Sequence, residues 1–179
     1  MNASDVSFFL TFGLGAAGCI YLAVLLWTTS PENLRRRESW TRLRIPGLVL
    51  GYVVCIACVP YARVVAPDFL LPFLWPLALI LPPLCAYYLD YPNARAVCGT
   101  LILLAYLVVH HAFDMELPGA PFLTVLAWVI GICGIAGSAQ PWRLRDEFRA
   151  GKVRRRIEAG VLVLFALCLL GEAVWKAFR

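Results

Sequence analysis

The chain has 179 residues, 61% of them apolar and 15% charged, with a formal net charge of +5 from 16 basic and 11 acidic residues. Soluble domains carry about a quarter of their residues as charges, so there is too little polar surface here to cover a water-soluble globule. The apolar residues fall in long runs, which makes hydrocarbon their solvent and leaves no reason to read the basic excess as a nucleic-acid surface.

Crossing about 30 Å of hydrocarbon takes roughly 20 apolar residues in a helix. Six segments qualify: 6–27, 45–65, 69–89, 95–112, 121–139 and 157–178. The leader from Met1 to Asp5 lacks the basic start of a secretory signal. The first run is followed by Arg35, Arg36 and Arg37 instead of a small-residue cleavage site, so it is expected to stay as a helix. The second run carries Cys55 and Cys58 at Cys-x-x-Cys spacing, just before Pro60. The third is interrupted by Pro72, Pro76, Pro82 and Pro83, each lacking a backbone donor, so a kinked or broken helix is expected. Tyr87, Tyr88 and Tyr91 follow as an aromatic belt.

The fourth run leads into His110, His111, Asp114 and Glu116. In the fifth, Gly131, Gly134 and Ser138 form a small-residue stripe. A similar pair, Gly13 and Ala17, lies in the first run, and the spacing predicts close approach between these two helices. The sixth contains Glu172, with Lys176 one turn later.

The connectors orient the segments. Connectors 28–44 and 140–156, with Arg95, hold 13 of the basic residues; the opposite side holds Arg63, Lys176 and Arg179. The positive-inside rule places the arginine-rich connectors in the cytoplasm, and an even number of crossings puts both termini outside. The expected fold is an all-α, polytopic bundle of six transmembrane helices in one membrane domain, N-out and C-out, in a bacterial inner or plasma membrane. Ser30-Pro31-Glu32 and Gln140-Pro141-Trp142 each read as the start of a short helix. Trp40 with Leu43, and Leu144 with Phe148, give each helix an apolar face to lay along the headgroups. The strings Trp40-Thr41-Arg42-Leu43-Arg44 and Trp142-Arg143-Leu144-Arg145 look alike, but are too short to define a repeat.

Several groups are candidates for chemistry. Cys55 and Cys58 form the one redox-shaped motif, although their place toward a helix C-terminus disfavours a thiolate. The seven cysteines, scattered through apolar runs, otherwise read as small packing residues. Imidazole with carboxylate is a transition-metal or proton-handling set, so His110, His111, Asp114 and Glu116 qualify, with haem ligation by a buried histidine as a further option. Against this, adjacent helical histidines diverge by about 100° and no HExxH spacing exists. Glu172 is an intramembrane carboxylate and therefore a functional candidate, with an ion pair to Lys176 as its local explanation. Arg35, Arg36, Arg37, Arg154, Arg155 and Arg156 are placed to meet anionic headgroups, at about 1 kcal/mol each, beyond setting topology.

No phosphate-binding glycine loop, Gly-x-Ser-x-Gly or paired-aspartate motif is present, and no residue pattern names a cofactor. Three function classes follow. A non-catalytic accessory or assembly subunit, partnered by the bilayer, by anionic lipid and by a larger membrane protein, leads. A small transporter or channel would use the proline-broken third helix with Glu172 and His110. A membrane enzyme would use the thiol pair or the histidine cluster.

Overall fold

A computed structural model describes residues 3–178; Arg179, counted above with the sparse basic side, lies outside them. The described residues form α1 (Ala3–Trp27), α2 (Leu34–Trp40), α3 (Arg44–Val65), a 3-10 segment (Asp68–Phe73), α4 (Leu74–Tyr88), α5 (Pro92–Asp114), α6 (Ala120–Ala139), α7 (Trp142–Arg149) and α8 (Lys152–Ala177), with no strand among them. Among the described residues six segments are long and apolar enough to cross a membrane, the 3-10 segment and α4 counting as one. A chain in hydrocarbon has to satisfy every backbone group internally, and an uninterrupted helix does so.

The helices outrun the apolar runs at several ends. α5 begins at Pro92, whose missing donor costs nothing in the first turn, and α8 begins at Lys152 among charged residues. Hydropathy marks where lipid would begin. Backbone hydrogen bonding, which continues into the polar flanks, marks where the helix begins.

The proline-rich segment differs from expectation in its detail. The 3-10 segment holds Pro72, and α4 then runs unbroken through Pro82 and Pro83. Pro76 falls in the first turn of α4, where a missing N–H is cheap. The two later prolines leave the carbonyls of Ala78 and Leu79 without their helical donors.

α5 is the centre of the bundle: 44% of its apolar window is buried, against 6% for α3 and 11% for the segment containing α4. It packs on α6, α3 and α1, while α1 also runs beside α8 and α4 sits at the edge against α3. Phe8, Phe12, Val108, Leu123, Phe165 and Leu169 are fully buried and join α1, α5, α6 and α8 into one core. Between apolar helices in lipid, such close packing replaces the hydrophobic effect as the cohesive force.

The small-residue stripes do not bring α1 and α6 together as predicted. Gly131 and Gly134 face α5, where a β-carbon on Gly134 would meet the Cys98 carbonyl oxygen and Ile102 Cγ1, both at 2.9 Å. Gly13 and Ala17 are exposed, and a β-carbon on Gly13 would meet nothing within 4 Å. It is Gly15, buried against Leu104, that lets α1 approach α5.

The two short helices also depart from expectation. α2 starts at Leu34, after a turn in which the Asn33 side chain accepts from Ser30 N–H (2.8 Å) and donates to the Thr28 carbonyl (2.9 Å). α7 begins at Trp142, as its sequence implies. Of the residues expected along the headgroups, Trp40 and Phe148 turn inward, whereas Leu43 stays exposed. Trp40 meets Phe148 edge to face at 6.3 Å, and buried Phe148 clusters with Ala23, Leu25, Leu26 and Ala159.

The antiparallel order puts Ser4 and Lys176 beside the end of α5 at one end of the bundle, called the terminal end below. The opposite, arginine-rich end is stitched by α5's start. Asn93 Nδ2 donates to the Trp40 carbonyl (2.9 Å), and Ala94 N–H to the Thr41 carbonyl (3.3 Å). Gly47 makes this possible: a β-carbon there would lie 2.6, 2.8 and 2.9 Å from backbone atoms of Pro92 and Asn93.

Candidate functional site

At the terminal end α1, α3, α5 and α8 surround a cleft of about 570 Å³. α1 supplies Asp5 and Ser7, α3 supplies Tyr61, α5 supplies His110, His111 and Asp114, and α8 supplies Lys176. Glu116, in the turn after α5, completes the rim with a left-handed φ of 48°.

The two histidines diverge as a helix requires. His111 points inward and is 7% exposed, its ring edge-on to Phe8 at 6.0 Å and Phe12 at 6.4 Å. Its Nε2 lies 3.3 Å from Ser7 Oγ. His110 points into the open cleft, with Nε2 3.2 Å from Asp114 Oδ2, one turn on. Its ring stacks on Tyr106 at 6.0 Å and meets Tyr61 edge-on at 6.3 Å.

Among the described residues that line it, the carboxylates Asp5, Asp114 and Glu116 outnumber the one ammonium, Lys176. Such a rim favours cations. His110 and Asp114 are together as the metal reading requires, but no group of three His, Cys, Asp or Glu side chains among the described residues is arranged to hold a metal ion. Ser7 with His111 is a hydroxyl–imidazole pair at the long edge of hydrogen-bonding distance, and no carboxylate is bonded to the other ring nitrogen among the described residues.

The remaining sequence candidates lie elsewhere. Glu172 does not pair with Lys176. Its Oε1 accepts the Gly119 N–H at 2.9 Å, capping the start of α6, and its Oε2 is buried without a hydrogen bond. Cys55 and Cys58 are free, half-buried thiols in α3, with Cys85 of α4 as a third thiol neighbour. Arg37 Nη2 donates to Thr28 Oγ1 (2.9 Å), Arg155 Nη1 to the Phe148 carbonyl (3.2 Å), and Arg156 lies over the Trp27 ring at 5.2 Å. Arg154 binds both Glu147 and Glu158. Burial, then the hydrogen bond and charge of Glu158, push the Glu147 carboxyl up to about 7, against the pull of Arg154. Across the same end, Arg149 grips Glu38 with two nitrogens, the longer contact being 2.8 Å, and holds that carboxyl below its usual range. Arg35 and Arg36 are exposed.

Sequence reasoning missed Asp5, Ser7, Tyr61 and Lys176 as partners of the histidines, because their meeting depends on which helices neighbour α5. The even number of long apolar segments does bring Ser4 and Lys176 to one end, and that was the available signal. No known protein family, curated protein or solved structure matches this chain.

Proposed function

We propose that the chain is a multi-pass membrane protein with its arginine-rich end in the cytoplasm, working as a small transporter that takes up a small cationic or protonatable solute at the terminal-end cleft. One observation carries this reading: four long apolar helices converge polar residues, both histidines included, on one cleft rich in carboxylates. A concave site with convergent polar groups is where binding is expected, and intramembrane or membrane-edge charges are retained for function. Tightly packed α1, α5 and α8 form the frame, and the carboxylates set the sign of the ligand. Uptake of methylammonium, or proton flux under an imposed gradient, into liposomes holding the purified protein tests it. Flux should exceed that of empty vesicles and fall on Asp114→Asn and His111→Gln. Flux at the empty-vesicle level at every pH would count against it.

A second reading, the accessory or assembly subunit, is favoured by the α3–α4 flank. α4 is held mainly by α3; Ala78 is buried, and the freed carbonyl of exposed Leu79 needs donors if hydrocarbon surrounds it. A neighbouring protein helix with small hydroxyl side chains would supply these. Co-purification with a larger partner at fixed stoichiometry in mild detergent supports this reading; a monodisperse species on its own removes it.

A further inference from the structure

We propose that the arginine-rich end carries a binding site for a phosphate group, borne by an anionic phospholipid headgroup or free in solution, built from Arg42 and Arg145 around Tyr91 with Arg35 at its rim. The site stands independently of the terminal-end cleft. Its residues come from the two look-alike strings: one arginine from each converges on the connector between α4 and α5.

Arg42 Nη2 and Arg145 Nη1 each donate to the Tyr91 hydroxyl oxygen, both at 3.0 Å. Their guanidinium carbons lie 5.0 and 5.9 Å from the centre of its ring. Two cations are thus gathered on one neutral oxygen. A phenol oxygen has two lone pairs and both are used, yet it brings no negative charge to offset the repulsion.

Of the two nearby carboxylates, one is bound to Arg145 itself and the other to Arg149 outside the pair. Asp146 takes Nε and Nη2 of Arg145 at 3.0 and 2.9 Å, and Glu38 is gripped by Arg149. Neither Arg35 nor Arg42 has a carboxylate at ion-pair distance among the described residues. Between Arg35, Ser39, Arg42 and Arg145, with Glu38 on one wall, opens a cleft of about 250 Å³. Planar guanidinium groups match phosphate oxygens; Asp146 occupies the Nε–Nη2 fork of Arg145, so a phosphate seated there would take the spare donors of Arg42 and the Nη1 side of Arg145.

Tyr91 is held in an unusual state to do this. Its φ of 58° and ψ of 51° are left-handed, and it precedes Pro92, which disfavours helical backbone in the residue before it. Strain of this kind persists where the surroundings over-determine it, and it gathers at ligand sites. Exposed Trp27, Tyr87, Tyr88 and Trp142 ring the same end, the belt that aromatic side chains form at headgroup depth. Lipid phosphate is therefore within reach.

Thermal unfolding of the purified protein in nanodiscs tests the site. One arm replaces part of a phosphatidylcholine bilayer with phosphatidylglycerol; the other adds inorganic phosphate at constant ionic strength to phosphatidylcholine discs. A rise in midpoint with phosphatidylglycerol alone identifies the headgroup, and a rise with inorganic phosphate identifies the free anion. Arg42→Gln combined with Arg145→Gln should weaken the responding ligand by about tenfold or more, as loss of charged hydrogen bonds implies. Arg143→Gln, exposed and outside the cleft, should respond like the parent. Should the double variant not fold, Arg42→Lys keeps the charge, loses the fork, and should still weaken binding relative to Arg143→Gln. No rise with either anion, or an equal rise in the cleft variants and Arg143→Gln, would overturn the proposal.

Discussion

Gly47→Ala should disrupt the joint between α3 and α5. The added β-carbon would sit 2.6 Å from Asn93 N, 2.8 Å from the Pro92 carbonyl carbon and 2.9 Å from Asn93 Cα. All three are backbone atoms, so no rotamer change relieves them. They also belong to the turn that binds the Trp40 and Thr41 carbonyls, so moving them breaks the stitches at the arginine-rich end. Overpacking of this kind costs about 1–3 kcal/mol, and contact with three consecutive atoms of one peptide link, none able to move alone, places it in the upper part of that range. Alanine returns up to about 1 kcal/mol through helix propensity, which leaves a net loss of about 2 kcal/mol. Gly13→Ala is the control, since its β-carbon meets nothing within 4 Å. It should be neutral or slightly stabilising. Unfolding by SDS titration in mild detergent micelles, followed by circular dichroism, reads the difference. Equal midpoints for Gly47→Ala and Gly13→Ala would refute the packing described.

Glu147 makes stability fall as pH rises. Its carboxyl is raised from near 4.5 to about 7, so the folded state holds the proton more tightly than the unfolded chain. The resulting stabilisation is complete below about pH 4.5 and lost as pH passes 7, with a magnitude on the order of 1–3 kcal/mol. Glu147→Gln should flatten SDS midpoints across that window; an unchanged slope would contradict the assignment. Glu38, held low by Arg149, works the other way: its contribution is present above its ordinary range and disappears only under stronger acid. Glu172→Ala should cost about 1 kcal/mol by stripping the Gly119 N–H of its acceptor, whereas Glu172→Gln keeps an acceptor and most of the stability. Flux lost in Glu172→Gln at parental stability would make that residue functional rather than structural.

How much of this was legible in the sequence divides by the kind of force involved. Helix positions follow from apolar run length, a local property, so segments such as 121–139 and 157–178 match α6 and much of α8. Helix neighbours do not follow, because lipid and an adjoining helix are equally apolar. Gly13 and Ala17 therefore looked like a contact although they are exposed, while Gly15 and Gly47, which make contacts, carried no separate signal. Trp40 and Phe148 show the same ambiguity: their spacing records an apolar face, but periodicity does not say whether headgroups or the bundle will cover it. Glu172 was read through its neighbour one turn away, whereas its partner, Gly119, lies 53 residues distant. The histidine cluster was visible as composition. Its setting between Asp5, Ser7, Tyr61 and Lys176 required the tertiary arrangement.

The central claim is that these six helices cross a bilayer with the arginines inside. Single cysteines in a cysteine-free background, labelled with a membrane-impermeant maleimide on intact cells, test it most directly. Glu116→Cys, in the turn beside the cleft, should label from outside. Glu32→Cys, in the arginine-rich connector, should label only after the cells are permeabilised. Labelling of Glu32→Cys from outside with Glu116→Cys protected, or recovery of the protein in the soluble fraction, would contradict the account.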